Sequence, residues 1–425
     1  MSSKLLYLEG IRGIASFAVY QIHSLRDYNH QFQRFWMLWQ EWTITVPLFF
    51  VLSGRVLTAS PLRKNLTGPI ASSALRRPFR LVLPVIGVMI VGWIMFQLGL
   101  FDSVCPNSDQ SFCPGPDKVP GSFFDLFVRP FLYITNTAGL LPTTFSPKPL
   151  PYTAWTLPLE YANSNYVYLL IFILVEFKNQ TMVRYLILLG ALICTLYTHL
   201  WTAHFIVGVI FAELSNNGTL EKIKSHKWTP VINVVLFLIG IFFCVGTSIT
   251  IGVQTEQWVK YLQVNYYFQF GNWDGYMEEK PMVLLLSAIL MFIVETSNFW
   301  QKVLGAKVFV FLGRISYTLY LFHPYFNYSI QPLLMKLIDH NSLHGKILLP
   351  IICTILVCIC SELLVIIIDE PSMKLTSMVY KKLTTLKTNS SNSTVDLVAI
   401  EISKEDIEEP NANVDVSSTP LKEEL

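Results

Sequence analysis

Several apolar runs of about 20 residues, almost free of charged side chains, constrain this chain more than any other feature. The clearest runs cover residues 81–101, 231–253 and 347–368, in which Glu362 is the single charged residue. A helix of roughly 20 apolar residues is long enough to cross the hydrocarbon core of a bilayer. Charged residues make up 14% of the chain, against roughly 25% in soluble domains. The sequence therefore predicts an all-α fold, a polytopic transmembrane helical bundle.

Weaker apolar runs complete the predicted bundle. They cover residues 11–25, 43–59, 155–175, 282–294 and 309–328. The uncharged stretch 185–212 would span about 42 Å as one helix, too long for one straight crossing, so we expect two short crossings that turn near residues 199–201. This gives about ten spans. Residues 123–139, which contain Arg129 and Pro130, are expected to form a re-entrant or interfacial segment.

The distribution of Lys and Arg orients the bundle. With a cytoplasmic N-terminus, the cytoplasmic side collects about twice as many Lys and Arg as the other side, in agreement with the positive-inside rule. Both termini are then cytoplasmic, and we expect a secretory-pathway or plasma membrane location. Residues 1–386 form the predicted transmembrane domain. Residues 387–425 are rich in Ser, Asn, Asp and Glu and lack aromatic side chains, which predicts a disordered cytoplasmic tail.

Composition also limits which partners and ligands we expect the protein to bind. The net charge of +2 leaves no basic footprint for nucleic acid. The cysteines and histidines show no zinc-ligand spacing, so no metal site is expected. Cys105 and Cys113 share one polar loop and can pair if that loop faces an oxidising compartment. The lipid bilayer is the expected environment, and the sequence leaves homo-oligomerisation open.

Two ionisable side chains lie in the first span. Arg12 and His23 are eleven positions apart, so they project from one helix face about 16 Å apart along the axis. Arg presents a fixed fork of donors to a phosphate, and His takes a proton near neutral pH. The face therefore fits a coenzyme A thioester held at its phosphates by Arg12, with its acyl end near His23. A snorkelling arginine and a histidine bonded to a neighbouring helix would explain the same spacing.

Seven short strings occur in order between about residues 6 and 375. They are LEGIRGIA at 8–15 followed by His23, FFVLSG at 49–54, RRPFR at 76–80 with Pro84, WTLPLE at 155–160, FIVGVIFA at 205–212, GRISYTLYLFH at 313–323 and Glu370-Pro371. Together they resemble the acyltransferase 3 family of integral membrane acyltransferases. Arg55 departs from the family pattern, which mostly has an apolar or aromatic residue after the Ser-Gly pair.

The resemblance implies transfer of an acyl group, acetyl or another short group, from acyl-CoA to a hydroxyl of a carbohydrate, lipid or small metabolite. Acyl-CoA is then a co-substrate, and no tightly bound cofactor is expected. His23 is the candidate general base. Glu160 and His323, both expected toward the non-cytoplasmic half of their spans, are candidates to orient His23 or to stabilise charge at the acyl carbon. The candidates for the CoA phosphates are all expected at the cytoplasmic face: Arg12, Arg76, Arg77 and Arg80.

Three other functions are compatible with the sequence. Ten spans with intramembrane charges also suit a transporter or exporter without acyl-transfer activity, although no convincing repeat relates the two halves of the chain. In a hybrid, the acyl group crosses the membrane to an acceptor on the far side. A lipid-modifying acyltransferase of another membrane class would show a buried His-Asn pair or a His-x4-Asp motif, and neither spacing occurs at His323-Pro324 or at the other histidines.

Overall fold

The computed structural model describes residues 6–25, 42–64, 67–101, 124–135, 152–198, 200–246, 281–338 and 342–382. Within these ranges the regular structure is entirely helical, without a strand. The chain divides into one unit, Met1–Thr376, and a second, Ser377–Leu425, of which residues 377–382 are described and helical. The predicted disordered tail, 387–425, lies outside the described residues, as do Cys105 and Cys113.

We label the α-helices of the described part in chain order. They are α1 (Leu6–Leu25), α2 (Trp42–Lys64), α3 (Gly68–Gln97), α4 (Arg129–Thr135), α5 (Thr156–Glu176), α6 (Thr181–Thr198), α7 (Leu200–Asn216), α8 (Thr219–Ser225), α9 (Thr229–Gly246), α10 (Pro281–Thr296), α11 (Asn298–Leu304), α12 (Lys307–Leu337) and α13 (Leu343–Leu364). A π-helical turn, Phe124–Val128, precedes α4, and a 3-10 turn, Tyr152–Trp155, precedes α5. Another π-helical turn, Val365–Asp369, follows α13.

Helix length and apolarity support membrane crossings in the described part. Three helical stretches are long and apolar enough to cross: Ile44–Lys64, Gly68–Gln97 and His344–Lys382. A fourth candidate combines α10 and α11, which meet at a bend of 96°. The predicted count of about ten stays a prediction, because the other expected crossings lie in helices that are shorter or more polar, or extend into residues that are not described. The segment expected to be re-entrant is described over 124–135, where α4 has only 7 residues.

The outer surface of α13 is apolar. Ile347, Ile351, Ile355 and Ile359 recur at every fourth position, and each side chain is at least half exposed. Positions four apart lie on one face of a helix. A continuous exposed isoleucine stripe would be unfavourable in water, whereas lipid tails accommodate it without cost.

Two of the three buried apolar clusters among the described residues are the largest. One joins α1, α3, α12 and α13 and includes Tyr20, Val85, Met89, Phe326 and Val357. The other joins α2, α5, α6 and α7. Because lipid tails are as apolar as these side chains, the clusters stabilise the bundle through close packing more than through removal from water.

Helices α1 and α12 cross at glycines. A Cβ on Gly13 would lie 2.4 Å from the backbone N of Gly313, and one on Gly313 would lie 2.2 Å from the carbonyl O of Glu9. Small residues allow this close approach. Further along, Ser24 Oγ donates to Gln331 Oε1 over 3.1 Å. Since the contact positions advance together along both helices, α1 and α12 run in the same direction.

Helices α2 and α7 form a second close crossing. A Cβ on Gly208 would lie 2.1 Å from the carbonyl O of Val51, and one on Gly54 would lie 2.1 Å from the carbonyl O of Phe205. The ring of Phe50 stacks on that of Phe205 with centroids 5.1 Å apart. The glycines in the strings at 49–54 and 205–212 therefore serve helix packing.

Helices α6 and α7 form an antiparallel hairpin. Arg184, near the start of α6, pairs with Glu213, near the end of α7, over 2.5 Å, and both side chains are buried. The chain therefore reverses between Thr198 and Leu200, where α6 ends and α7 begins. The stretch 185–212 is divided between two helices, as expected, and the membrane crossing of each stays a prediction.

Candidate active site

His23 and His323 lie side by side. His23 is in the last turn of α1, and His323 is ten residues beyond Gly313 in α12. Their rings stack with centroids 5.4 Å apart and planes 24° apart. His323 is buried, whereas His23 keeps partial exposure. The parallel packing of α1 and α12 thus brings two of the three predicted catalytic residues to one place.

The ring of His323 is held from several directions. Its Nδ1 lies 3.0 Å from the carbonyl O of Leu319, one turn earlier in α12. With Nδ1 as the donor, a neutral ring carries its lone pair on Nε2. The rings of Tyr20 and Tyr320 each pack with centroids 6.3 Å from that of His323. These contacts fix the orientation of the ring beside His23.

Tyr320, which packs on His323, forms hydrogen bonds with the segment at the start of α5. Its hydroxyl donates to the carbonyl O of Thr153 over 2.5 Å and lies 2.8 Å from Thr156 Oγ1. In return, Thr153 Oγ1 donates to the carbonyl O of Tyr320 over 3.1 Å. The string at 155–160 therefore starts next to the histidines, and Glu160 follows about one turn after Thr156.

Arg12 lies on the same unbroken helix as His23, as predicted. Its guanidinium pairs with the carboxylate of Glu9, three residues earlier. The side chain of Arg12 is 34% exposed, yet its Nε is buried and has no hydrogen-bond partner among the described residues. Because the side chain as a whole is partly exposed, the guanidinium stays accessible to an anion.

Glu160 lies with Arg77. Its Oε1 accepts a hydrogen bond from Ser53 Oγ over 2.5 Å and forms an ion pair with Arg77 Nη2. We expected Glu160 toward the non-cytoplasmic half and Arg77 at the cytoplasmic face, and that separation is wrong. Because α3 begins at Gly68, Arg77 lies nine residues, about 14 Å, into the helix, where it meets the first turns of α5.

The remaining predicted arginines behave differently from each other. Arg80 is exposed and lies within electrostatic reach of Arg77, Arg12 and Asp369. Arg76 bends back on its own helix, where its Nε donates to the carbonyl O of Ser72 over 3.1 Å. The structure thus gathers Arg12, Arg77 and Arg80 into one basic cluster, and Asp369 reaches that cluster from the π-helical turn after α13.

Arg55 belongs to a separate, closed network. Its Nε bonds Glu295 Oε1 over 2.7 Å, and the Tyr7 hydroxyl donates to Glu295 Oε2 over 2.7 Å. Gln301 Nε2 donates to the carbonyl O of Glu295 over 2.8 Å, which holds the bend between α10 and α11. The unusual Arg at position 55 is therefore accommodated by a buried carboxylate, a partner that sequence reasoning did not identify.

Sequence reasoning also missed three polar partners of the site. Ser53 and Tyr320 lie inside the recognised strings, but the strings alone do not say what they touch. Asp369 immediately precedes the closing Glu370-Pro371. Among the described residues, no group of three His, Cys, Asp or Glu side chains is placed to hold a metal ion.

The fold and the site define a helical membrane protein with ionisable side chains gathered inside its bundle. Residues 5–368 match the family described as the acyltransferase domain, and the chain belongs to this acyltransferase 3 family. It is accordingly a membrane acyltransferase that transfers groups other than amino-acyl groups. Neither curated proteins nor solved structures give a significant match.

Proposed function

We propose that the protein transfers a short acyl group, such as acetyl, from acyl-CoA to a hydroxyl of a carbohydrate, lipid or small metabolite. The stacked pair of His23 and His323 at one end of α1, with Arg12 toward the other end, is the observation that carries this proposal. Acyl-CoA serves as a co-substrate and not as a tightly held cofactor.

The basic cluster is suited to the phosphates of the donor. The guanidinium group of Arg80 lies within electrostatic reach of those of both Arg12 and Arg77. Guanidinium groups stay charged and bind phosphate through paired donors. From Arg12 the axis of α1 runs about 16 Å to His23, a gap that an extended phosphopantetheine arm bridges. Arg76 has a weaker claim, because it bends back on α3.

His23 is the proposed general base. Its ring takes the proton of the acceptor hydroxyl while the oxygen attacks the thioester carbonyl carbon. The carbon–sulfur bond then breaks, and the CoA thiolate leaves with a proton from His23. Base catalysis of this kind contributes about 10²–10⁴-fold. His323 holds the His23 ring in place, and Glu160 acts at the donor end, since it pairs with Arg77.

The topology proposed with this function has about ten spans and cytoplasmic termini, in a secretory-pathway or plasma membrane. The parallel direction of α1 and α12 agrees with the number of spans in this scheme. Two parallel spans need an odd number of crossings between them, and the predicted scheme has seven. The antiparallel α6–α7 hairpin supports the same scheme.

The separation of Arg12 from His23 also favours a second version of this function. Donor phosphates and reacting acyl carbon would lie at opposite ends of α1, so the acceptor can be one on the far side of the membrane. Sealed vesicles with acyl-CoA inside and an impermeant acceptor outside test this version. Acylated acceptor outside supports it, and acylation only of internal acceptors contradicts it.

Release of CoA by purified protein in nanodiscs tests the main proposal. We expect His23→Ala to bind acyl-CoA without turnover, and Arg12→Ala to lose binding. Two matched controls are His344→Ala, at an exposed histidine of α13, and Arg129→Ala, whose side chain pairs locally with Asp125. Both should behave as wild type. Wild-type protein that neither binds nor turns over acyl-CoA with any acceptor would refute the proposal.

A further inference from the structure

The basic cluster already contains carboxylates. Arg12 pairs with Glu9, Arg77 pairs with Glu160, and Arg80 lies within electrostatic reach of Asp369. A phosphate that binds any of these arginines must therefore share the guanidinium with a carboxylate or displace it. Like charges around one guanidinium repel each other, so these carboxylates oppose the binding of a polyanion.

Glu160 is the carboxylate best placed to change partner. It comes from α5, whereas Arg77 comes from α3, so the pair is not fixed by one helix as Glu9 and Arg12 are. Glu160 is 17% exposed, and its second hydrogen bond comes from Ser53, a neutral donor that can stay bonded if the arginine leaves. The Nε of Arg77 is buried and has no hydrogen-bond partner among the described residues.

We infer that Glu160 is an exchangeable counter-ion, which occupies Arg77 and yields it to a phosphate of the acyl donor. This inference rests on the proposed function and gives Glu160 a role in donor affinity, without contact with the reacting atoms. Ser53 retains the displaced carboxylate through its hydroxyl. By competing with the phosphate, Glu160 weakens binding of both acyl-CoA and the released CoA, and so favours departure of the product.

Binding of three probes to purified protein in nanodiscs tests this role. The probes are CoA, adenosine 3′,5′-bisphosphate, which carries phosphates without the pantetheine arm, and pantetheine, which carries no phosphate. We expect Glu160→Gln to bind CoA and the bisphosphate about tenfold more tightly than wild type, the equivalent of roughly 1.4 kcal/mol. Pantetheine affinity should not change, because the effect is electrostatic.

Further variants distinguish two roles of Glu160: competition with the phosphate for Arg77, and positioning of Arg77 for the phosphate. Ser53→Ala removes the hydroxyl that retains the displaced carboxylate, so it should weaken CoA binding by a smaller factor, and it serves if Glu160→Gln fails to fold. Arg77→Gln should weaken CoA binding. Glu362→Gln, which removes a carboxylate paired with Arg314 outside the cluster, should change nothing.

The outcomes distinguish this inference from the proposed function. Unchanged or weaker CoA binding in Glu160→Gln, with Arg77→Gln also weaker, would mean that Glu160 positions Arg77 for the donor, and the inference fails while the donor site stands. A larger effect on pantetheine than on the bisphosphate would likewise overturn it. If wild-type protein binds neither CoA nor the bisphosphate, the proposed function fails together with the inference.

Discussion

Two arginine–glutamate pairs occupy different regions of the bundle and have different surroundings. In the pair of Arg55 with Glu295, both side chains are about 5% exposed or less, and Tyr7 satisfies the second carboxylate oxygen. In the pair of Arg77 with Glu160, the side chains are 11% and 17% exposed, and Arg77 Nε lacks a partner among the described residues. A closed, satisfied pair fastens helices together, whereas an accessible, partly satisfied pair can exchange partners.

The largest effect is expected from breaking the closed pair. Glu295→Ala leaves the Arg55 charge buried without its partner, so the free energy of unfolding should fall by about 3–5 kcal/mol. Glu160→Ala should cost clearly less, because Arg77 stays accessible. Thermal unfolding of both variants in the same detergent measures the difference. Equal losses of unfolding free energy in the two variants would contradict the difference between the two pairs.

Substitution of His323 tests whether its ring orients His23 for catalysis. His323→Gln removes the ring that orients His23, and we expect turnover to fall by about 100-fold while the KM for acyl-CoA stays near wild type. Steady-state CoA release supplies both constants, with His344→Gln as the control. A raised KM with normal turnover would instead place His323 at the donor.

Packing near the closed pair is tested at Gly208. In Gly208→Ala the added methyl would collide with the backbone of α2, which should lower stability by about 1–3 kcal/mol. Gly190→Ala, in α6, is the control: a Cβ there meets nothing within 4 Å, so this variant should gain about 0.5–1 kcal/mol. The thermal midpoints of the two variants should move in opposite directions, and a shift in the same direction contradicts the crossing.

The smallest effect is expected at Arg76. Arg76→Gln should change the affinity for CoA by less than about twofold, because its guanidinium Nε is bonded to its own helix. Arg77→Gln should weaken affinity by about tenfold, the size of one charge-assisted contact. Binding titrations at one salt concentration compare the neighbours. Similar losses at both positions would show that the basic string acts only through its summed charge.

Local and ordered features were predictable from the sequence. The helical fold, the family and the Arg12–His23 face follow from apolar runs, motif order and helix periodicity. The α6–α7 hairpin followed from length and charge distribution. Contacts between distant helices could not be predicted, because a sequence indicates the depth of a residue in the membrane only through the ends of its apolar runs. For this reason Glu160 and Arg77 were assigned to different levels, and the partner of Arg55 went unrecognised.

The contact between His23 and His323 can form only late in the synthesis of the protein. The two residues are 300 positions apart in the chain, and synthesis at roughly 5–20 residues per second separates them by about 15–60 s. During that delay the first helix enters the membrane with its ionisable face and without α12. Any chain terminated ahead of Lys307 would keep that face uncovered, and we expect quality-control proteases to recognise it.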